Sequence, residues 1–501
     1  MAKKRKKKSF EFSSAHLSTN NSRSNFKSIN FGVDQYVTSP IEKSISVIDP
    51  LRIPKEQNME RKNLPYLLSA LTILEPLNFS QEEIEKLSHV NTQRFPESSE
   101  LFLDPDGIIL AASFNQLIIF LTHPQASSLD FQQQFLISFP SFTSPTKVLA
   151  AIIMRFFANV NYSGCNIANE KELKLIRYRI TRIISKWLSL TKYQFTEQMI
   201  YAIDIFCQVI TTENGLQAQE RIIEIAIMSF KGMNNNVTTL TYKSGTPSSC
   251  LPHGDASKWK LTKIPPIETA RQITLLHSQI FRSIKPTEIL AVIWGDKKSG
   301  GSPNITKLIQ HFNAFSNVVM LTVLFPKKSK KRALVHAHWV AVAYHCYEIH
   351  NFHAMFSIVF GLTHPSIERL SKTVARSAKI CGKKFVFSNM KELCKFDNDY
   401  HNYREMIANT MEPCVPFIGC IQKDLIYVQE SFQNTIYDLI NFKKCIECVS
   451  LLQKITRFQN ERYNFELSEK IQTLITNIPL ETDNVILMKL SMSREVRNMK
   501  K

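Results

Sequence analysis

The chain is 501 residues long, has a formal net charge of +19, and is 44% hydrophobic. That length exceeds one ordinary core, so two or more domains are expected, and the apolar share excludes a chain that stays unfolded throughout. The charge favours acidic partners, whether nucleic acid, anionic lipid or an acidic protein surface.

Only 13 glycines stand against 33 phenylalanines. With the long apolar runs at helical spacing, this predicts an all-α fold of two helical domains. The cysteines stand singly in apolar segments, as at Cys207, Cys346 and Cys414, which excludes a disulfide framework. No apolar run approaches the roughly 18 residues of a membrane span, so a cytoplasmic location is expected, with membrane recruitment or nuclear import as the alternatives that the basic N-terminal run leaves open.

Residues 1–60 read as a basic, disordered tail, with the run KKRKKK at Lys3–Lys8 and the aperiodic stretch SSAHLSTNNSRSN. The basic run offers a contact for anionic membrane. Residues 61–99 form a lead-in with a short helix at Leu64–Leu74. A first helical domain follows over 100–240. Its helices are expected at Ile108–Leu121, ended by Pro124 in THPQ, and at Leu129–Ile137. A third is capped by Thr143 or Ser144 and opened by Pro145. Arg177–Leu188 and Gln198–Thr211 complete the set. Residues 241–262, with glycines, prolines and serines, read as a linker. A second helical domain spans 263–480, with the charged connection FPKKSKKR at Phe325–Arg332. Residues 481–501 read as a basic C-terminal tail.

Familiar reaction chemistry is missing. The chain has no glycine-rich phosphate loop, kinase signature or nucleophile elbow. The pair Cys445-Ile-Glu-Cys448 has no second pair, which argues against zinc. His336 and His338 are two apart and share no helical face, and His345, His350 and His353 have no persuasive ligand-spaced carboxylate partner, so they read as ordinary helix histidines. No nucleic-acid recognition module is present, so no specific nucleic-acid partner is expected. Neither a cofactor nor a metal is called for.

The stretch PCVPFIGCIQKDLIYVQES, Pro413–Ser431, has a different character. Two prolines and a glycine make a rigid corner, and a helix follows. Ile426 and Glu430, four apart, share one face of it. Downstream, Leu439, Phe442, Ile446, Val449 and Leu452 form an apolar stripe, which predicts packing on the first helix.

Five stretches in order resemble the catalytic domain of Ras-family guanine-nucleotide exchange factors. They are IETARQITLLHSQIFRSIKPTEIL (Ile267–Leu290), SPNITKLIQHFN (Ser302–Asn313), NFHAMFSIVFGLTHPSIERL (Asn351–Leu370), PCVPFIGCIQKDLIYVQE and LINFKK (Leu439–Lys444). Upstream, DPDGIILAASFNQLIIFLTHP, DFQQQFLISFPSFTSPTKVLAAIIMRFF and RYRITRIISKWL resemble the accompanying Ras exchanger motif domain.

The resemblance implies a Ras-family small GTPase as partner and exchange without covalent chemistry. GDP, GTP and magnesium then belong to the partner. It implies a protruding helical hairpin, about 417–459, with a second helix from about Ile436 to Gln459. In the family, an aliphatic residue at the position of Ile426 crowds the magnesium site, and an acid at the position of Glu430 takes the phosphate-loop hydroxyl that otherwise serves the metal. Gln310, His311, Leu362, Thr363, Phe417, Ile418, Asn441 and Phe458 fall at positions that bind the GTPase or brace the hairpin. Gln310 and Thr363 depart from the arginine and asparagine the resemblance leads one to expect. The departures leave a second possibility, a scaffold that binds a GTPase or another signalling partner without exchange.

Overall fold

The computed structural model describes residues 64–125, 128–162, 164–191, 194–211, 217–232, 246–251, 260–295, 301–382, 384–476 and 483–495. The expected N-terminal tail with its Lys3–Lys8 run, and most of the expected linker, lie outside these residues.

Helices dominate, and they surround two buried cores. In the first, Ser144 is the cap: its hydroxyl accepts from the Lys147 amide at 3.2 Å, and Pro145 opens the helix Pro145–Phe156. The pyrrolidine presets the helical torsion where no amide donor is needed. The helix Glu170–Leu190 buries Trp187 completely, and the indole donates to Gln194 Oε1 at 2.6 Å. Arg155 is also buried. Its guanidinium donates to Thr122 Oγ1 at 3.0 Å, the Val90 carbonyl at 3.0 Å and Asn166 Oδ1 at 2.6 Å, while burial pushes its pKa down to about 10.

The expected helix Ile108–Leu121 is in fact two elements. Leu101–Leu103 (β1) and Ile109–Ala112 (β2) form an antiparallel pair, and the helix begins only at Phe114. The turn explains this. Asp104 Oδ1 accepts the amides of Asp106 and Ile108 at 2.9 and 2.8 Å, and Gly107 takes a φ of 80°. Ser113 then caps the helix through the Gln116 amide. A short apolar strand leading into a helix has no periodicity to separate the two.

The second core gathers Pro266–Arg282, Pro303–Leu324, Ser329–Glu348 and Phe352–Thr363. Trp339 is buried at its centre and donates to Thr322 Oγ1 at 2.8 Å. The expected C-terminal tail is largely a helix, Asn484–Arg494, capped by Asp483. Glu495 latches it down, accepting from the buried Arg332 at 2.9 Å and from the Thr373 hydroxyl at 2.6 Å. The carboxylate supplies a counter-charge to this buried guanidinium.

Two helices, Ile418–Ser431 and Phe442–Thr456, pack on each other as a hairpin. The second starts at Phe442 rather than Ile436. Between them Thr435–Ile436 (β3) and Leu439–Asn441 (β4) pair around Tyr437 and Asp438, both at positive φ. β4 also pairs with β2, with Ala111 opposite Asn441 and Ala112 opposite Ile440. The sheet order is therefore β1-β2-β4-β3, two strands from residues 101–112 and two from the hairpin connection.

The expected stripe also divides. Phe442 packs in the first core, its ring 5.0 Å from that of Phe131, and Ile446 lies against the same core. Val449 and Leu452 belong to the second. The reason is geometric: a helix crossing between two cores must satisfy both along its length. Phe442→Ala is expected to lower chemical stability by about 3–5 kcal/mol. Tyr437→Ala, at an 87% exposed position, is expected to stay within about 0.5 kcal/mol. Equal urea midpoints for the two variants would contradict this packing.

Candidate functional site

The hairpin base is built by strand-like pairing followed by an aromatic seat. Val415 donates to the His350 carbonyl at 3.0 Å, and the His353 amide donates to the Val415 carbonyl at 3.2 Å. This fixes the chain beside the start of the helix Phe352–Thr363. The Phe417 amide, where the first hairpin helix begins, donates to the Tyr403 hydroxyl at 2.7 Å. The Phe417 ring stacks on Phe356 at 4.1 Å and 12°. Phe312, Tyr400 and Phe360 surround it with centroids at 5.4, 5.6 and 6.1 Å. Gly419 is required here, because a Cβ would lie 2.3 Å from Phe417 Cζ.

Beyond the seat, Ile418, Leu425 and Val428 are buried, whereas Ile426 is 40% exposed and Glu430 is exposed. The apolar side of the helix therefore holds it in place, and the side carrying Ile426 and Glu430 faces solvent. Both side chains are accessible to a partner.

The far end is tied by polar contacts. Asn441 caps the second helix through the Lys444 amide at 3.3 Å, and its own amide group donates to the Gln433 carbonyl at 2.8 Å. Lys444 is buried. Its ammonium donates to the Phe432 carbonyl at 2.9 Å and Asn434 Oδ1 at 2.7 Å, and sits 5.1 Å from the Trp294 ring centroid. Sequence reasoning missed Lys444. The available signal was a lysine in the first turn of a helix, where the dipole disfavours a cation unless something else holds it.

The remaining expected positions separate by burial. Leu362 and Phe458 are core residues. Thr363 is half-buried, and its hydroxyl turns back to the Val359 carbonyl at 2.9 Å. Gln310 is exposed and His311 half-buried. The two flank a cavity of about 280 Å³ lined also by His277, Phe315, Val318 and Gln472. His277 lies 4.9 Å from His353 between ring centroids. Phe312, next to His311, reaches both Phe360 and Phe417, so the helices carrying the second, third and fourth blocks share one aromatic cluster.

Among the described residues, no group of three or more His, Cys, Asp or Glu side chains is placed to hold a metal, and no helix is long and apolar enough to cross a membrane. Cys445 faces the first core and Cys448 the second, and burial pushes both thiols up.

The buried imidazoles have a pH consequence. Burial lowers His336 and His338 to about 4 and His353 to about 3, and holds His277 well below its usual value. Below about pH 6.5 the unfolded chain takes up protons that the folded chain refuses. Stability is therefore full above that pH and falls as the medium is acidified, by up to about 1.4 kcal/mol per pH unit for each histidine. His353→Asn is expected to flatten the loss between pH 6.5 and 4.5 in urea titrations. An unchanged slope would show that His353 is not held neutral.

Comparison with known proteins places the sequence among its relatives. The sequence model of the RasGEF domain matches residues 268–446, and that of the RasGEF N-terminal motif matches residues 108–206. The chain is 28% identical over 397 residues to Ras guanine nucleotide exchange factor I of Dictyostelium discoideum, covering 78% of this chain and 47% of that protein. Ras guanine nucleotide exchange factor J of the same organism is 27% identical, with 78% and 48% covered. Cell division control protein 25 of Saccharomyces cerevisiae is 28% identical over 419 residues, with 75% and 26% covered. The chain thus spans about half the length of the two Dictyostelium relatives and about a quarter of the yeast one. It belongs with the RasGEF-domain proteins that carry an N-terminal exchanger motif.

Proposed function

We propose that this chain accelerates GDP release from a Ras-family small GTPase by pressing the exposed face of the first hairpin helix into the partner's nucleotide site. The observation that carries the reading is the placement of Ile426 and Glu430. They are four apart and accessible, on a helix fixed at its base by Phe417 and tied at its far end through Asn441 and Lys444. The names of the relatives, Ras guanine nucleotide exchange factors, support the class of partner.

The physical demand on such a protein is specific. A nucleotide bound at picomolar affinity is held by about 16 kcal/mol, so spontaneous release is slow. Accelerating release requires binding the nucleotide-free partner better than the loaded one. Ile426 contributes an apolar bulk where the partner's metal would otherwise sit. Glu430 contributes a carboxylate that takes the phosphate-loop hydroxyl which otherwise serves the partner's metal. Magnesium and nucleotide belong to the GTPase, and the chain's own residues supply only shape and charge. The stiffness of the hairpin matters because a wedge that bends does no work on its target.

Fluorescent-GDP release, measured on a panel of purified Ras-family GTPases, tests this. The wild-type chain is expected to accelerate at least one of them. Ile426→Asp or Glu430→Ala is expected to slow that reaction at least tenfold, which corresponds to about 1.4 kcal/mol, with the fold unchanged by circular dichroism. Equal rates for the variants would refute the wedge. Stable binding of a nucleotide-loaded GTPase without release would favour a scaffold, the reading to which Gln310 and Thr363 lend support.

A further inference from the structure

The first hairpin helix is gripped from outside by an ionic cluster that neither the core nor the N-terminal sheet supplies. Arg404, on the helix His401–Ala408, forks onto Asp424: Nη1 donates to Oδ2 at 3.0 Å and Nη2 to Oδ1 at 2.7 Å. Arg404 Nη2 also lies 3.0 Å from Asp399 Oδ2, and its Nε donates to the Asp399 carbonyl at 2.8 Å. Asp399 in turn accepts from Lys423 at 2.5 Å, and the Lys423 ammonium rests 4.5 Å from the Phe396 ring centroid. Lys423 and Asp424 are adjacent on the hairpin helix and are held by one cluster.

The loop that presents this cluster is unusual. Asn398, Asp399 and Tyr400 are three consecutive non-glycine residues at positive φ, 46°, 59° and 56°. L residues avoid that region, and such a run persists only where surrounding contacts over-determine it. Tyr400 is held against Phe417 at 5.6 Å, and Asp399 by Arg404 and Lys423. The strained corner therefore joins the aromatic seat to the ionic grip. Burial alone would raise the Asp399 carboxyl, but the Lys423 hydrogen bond and the two cations together hold it below its usual value.

Helical geometry says what the grip controls. Successive residues are about 100° apart, so Lys423 and Asp424 are held from two directions, which opposes rotation of the helix as well as tilt. Ile426 and Glu430 lie about 200° and 240° around from Asp424, roughly opposite it, whereas Lys423 lies about 60° from Ile426 and about 20° from Glu430, on the wedge side. A load on the wedge face is thus taken up by Arg404 behind it. The grip is about 9 Å along the helix from Ile418, and Glu430 is about 9 Å further on.

We propose that Arg404, by gripping Asp424 and Asp399, is a positioning residue that sets the tilt and rotation of the first hairpin helix and so aims Ile426 and Glu430. This rests on the exchange reading above for its functional consequence, and on geometry alone for its mechanical one. The test compares the full chain with Arg404→Ala, Asp424→Ala and the double variant, by GDP-release kinetics on a responsive GTPase and by amide hydrogen exchange.

Each single variant is expected to lower kcat about tenfold with KM within about threefold, and the double variant to be no worse than either single. Asp424→Asn, which keeps the shape and one hydrogen bond, is expected to recover at least half of the lost rate on a logarithmic scale. Amides of residues 424–431 are expected to exchange at least fivefold faster in Arg404→Ala, with those of the helix Ser329–Glu348 unchanged. Additive losses, a change in KM alone, or unaltered protection of 424–431 would overturn the proposal. If the wild-type chain accelerates no GTPase, the exchange reading fails, and the amide protection by itself decides whether Arg404 positions the helix.

Discussion

Everything distinctive in this molecule depends on one aromatic ring having a single place to go. Phe417 is stacked on Phe356, edged by Phe312, Tyr400 and Phe360, and hydrogen-bonded through its amide to Tyr403. Gly419 leaves room for it, since any side chain there would collide with the ring. Fixing the ring fixes the direction in which the first hairpin helix leaves the second core. Burial of Leu425 and Val428 turns one side of the helix inward, and Ile426 and Glu430 are exposed on the other.

The other end of the hairpin is governed by the first core. Strands β3 and β4 extend the β1-β2 pair into one sheet, and Phe442 enters the first core as an ordinary member. The N-terminal motif is therefore a second point of support for the hairpin, and the two cores cannot move apart without breaking main-chain hydrogen bonds and exposing an aromatic ring. A lever supported at one point rotates. A lever supported at two, with an ionic grip between, transmits force. That distinction is what the exchange reading requires, because a wedge acts on its target only through shape and charge that are held in place.

Much of this was legible in the sequence. The scarcity of glycine and the helical spacing of apolar residues carried the all-α architecture, because a helix interior imposes a period that a reader can count. The corner at Pro413–Gly419 was legible because proline and glycine have narrow backbone meanings. The spacing of four put Ile426 and Glu430 on one face of a helix, and the helix Ile418–Ser431 does expose both, whereas the role proposed for them came from the resemblance. What was missed involves contacts distant in sequence or elements too short to have a period. The segment Asp104–Gly107 carries a clear turn signal, yet the five apolar residues after it were absorbed into the helix. The strands at Thr435–Asn441 are shorter still and are specified by pairing with a different domain. Lys444, Arg404 and Asp424 are common surface residue types, and only folding brings them to their partners. The C-terminal helix was read as a tail because its basic residues hide the latch at Glu495, whose partner Arg332 lies 163 residues away.

The most direct measurement is the structure of this chain bound to a nucleotide-free Ras-family GTPase. The account predicts Ile426 packed within the partner's emptied metal site and the Glu430 carboxylate within about 2.7–3.2 Å of a hydroxyl or amide of its phosphate-binding loop. A complex in which the GTPase docks elsewhere, leaving that face of the hairpin in solvent, would contradict it.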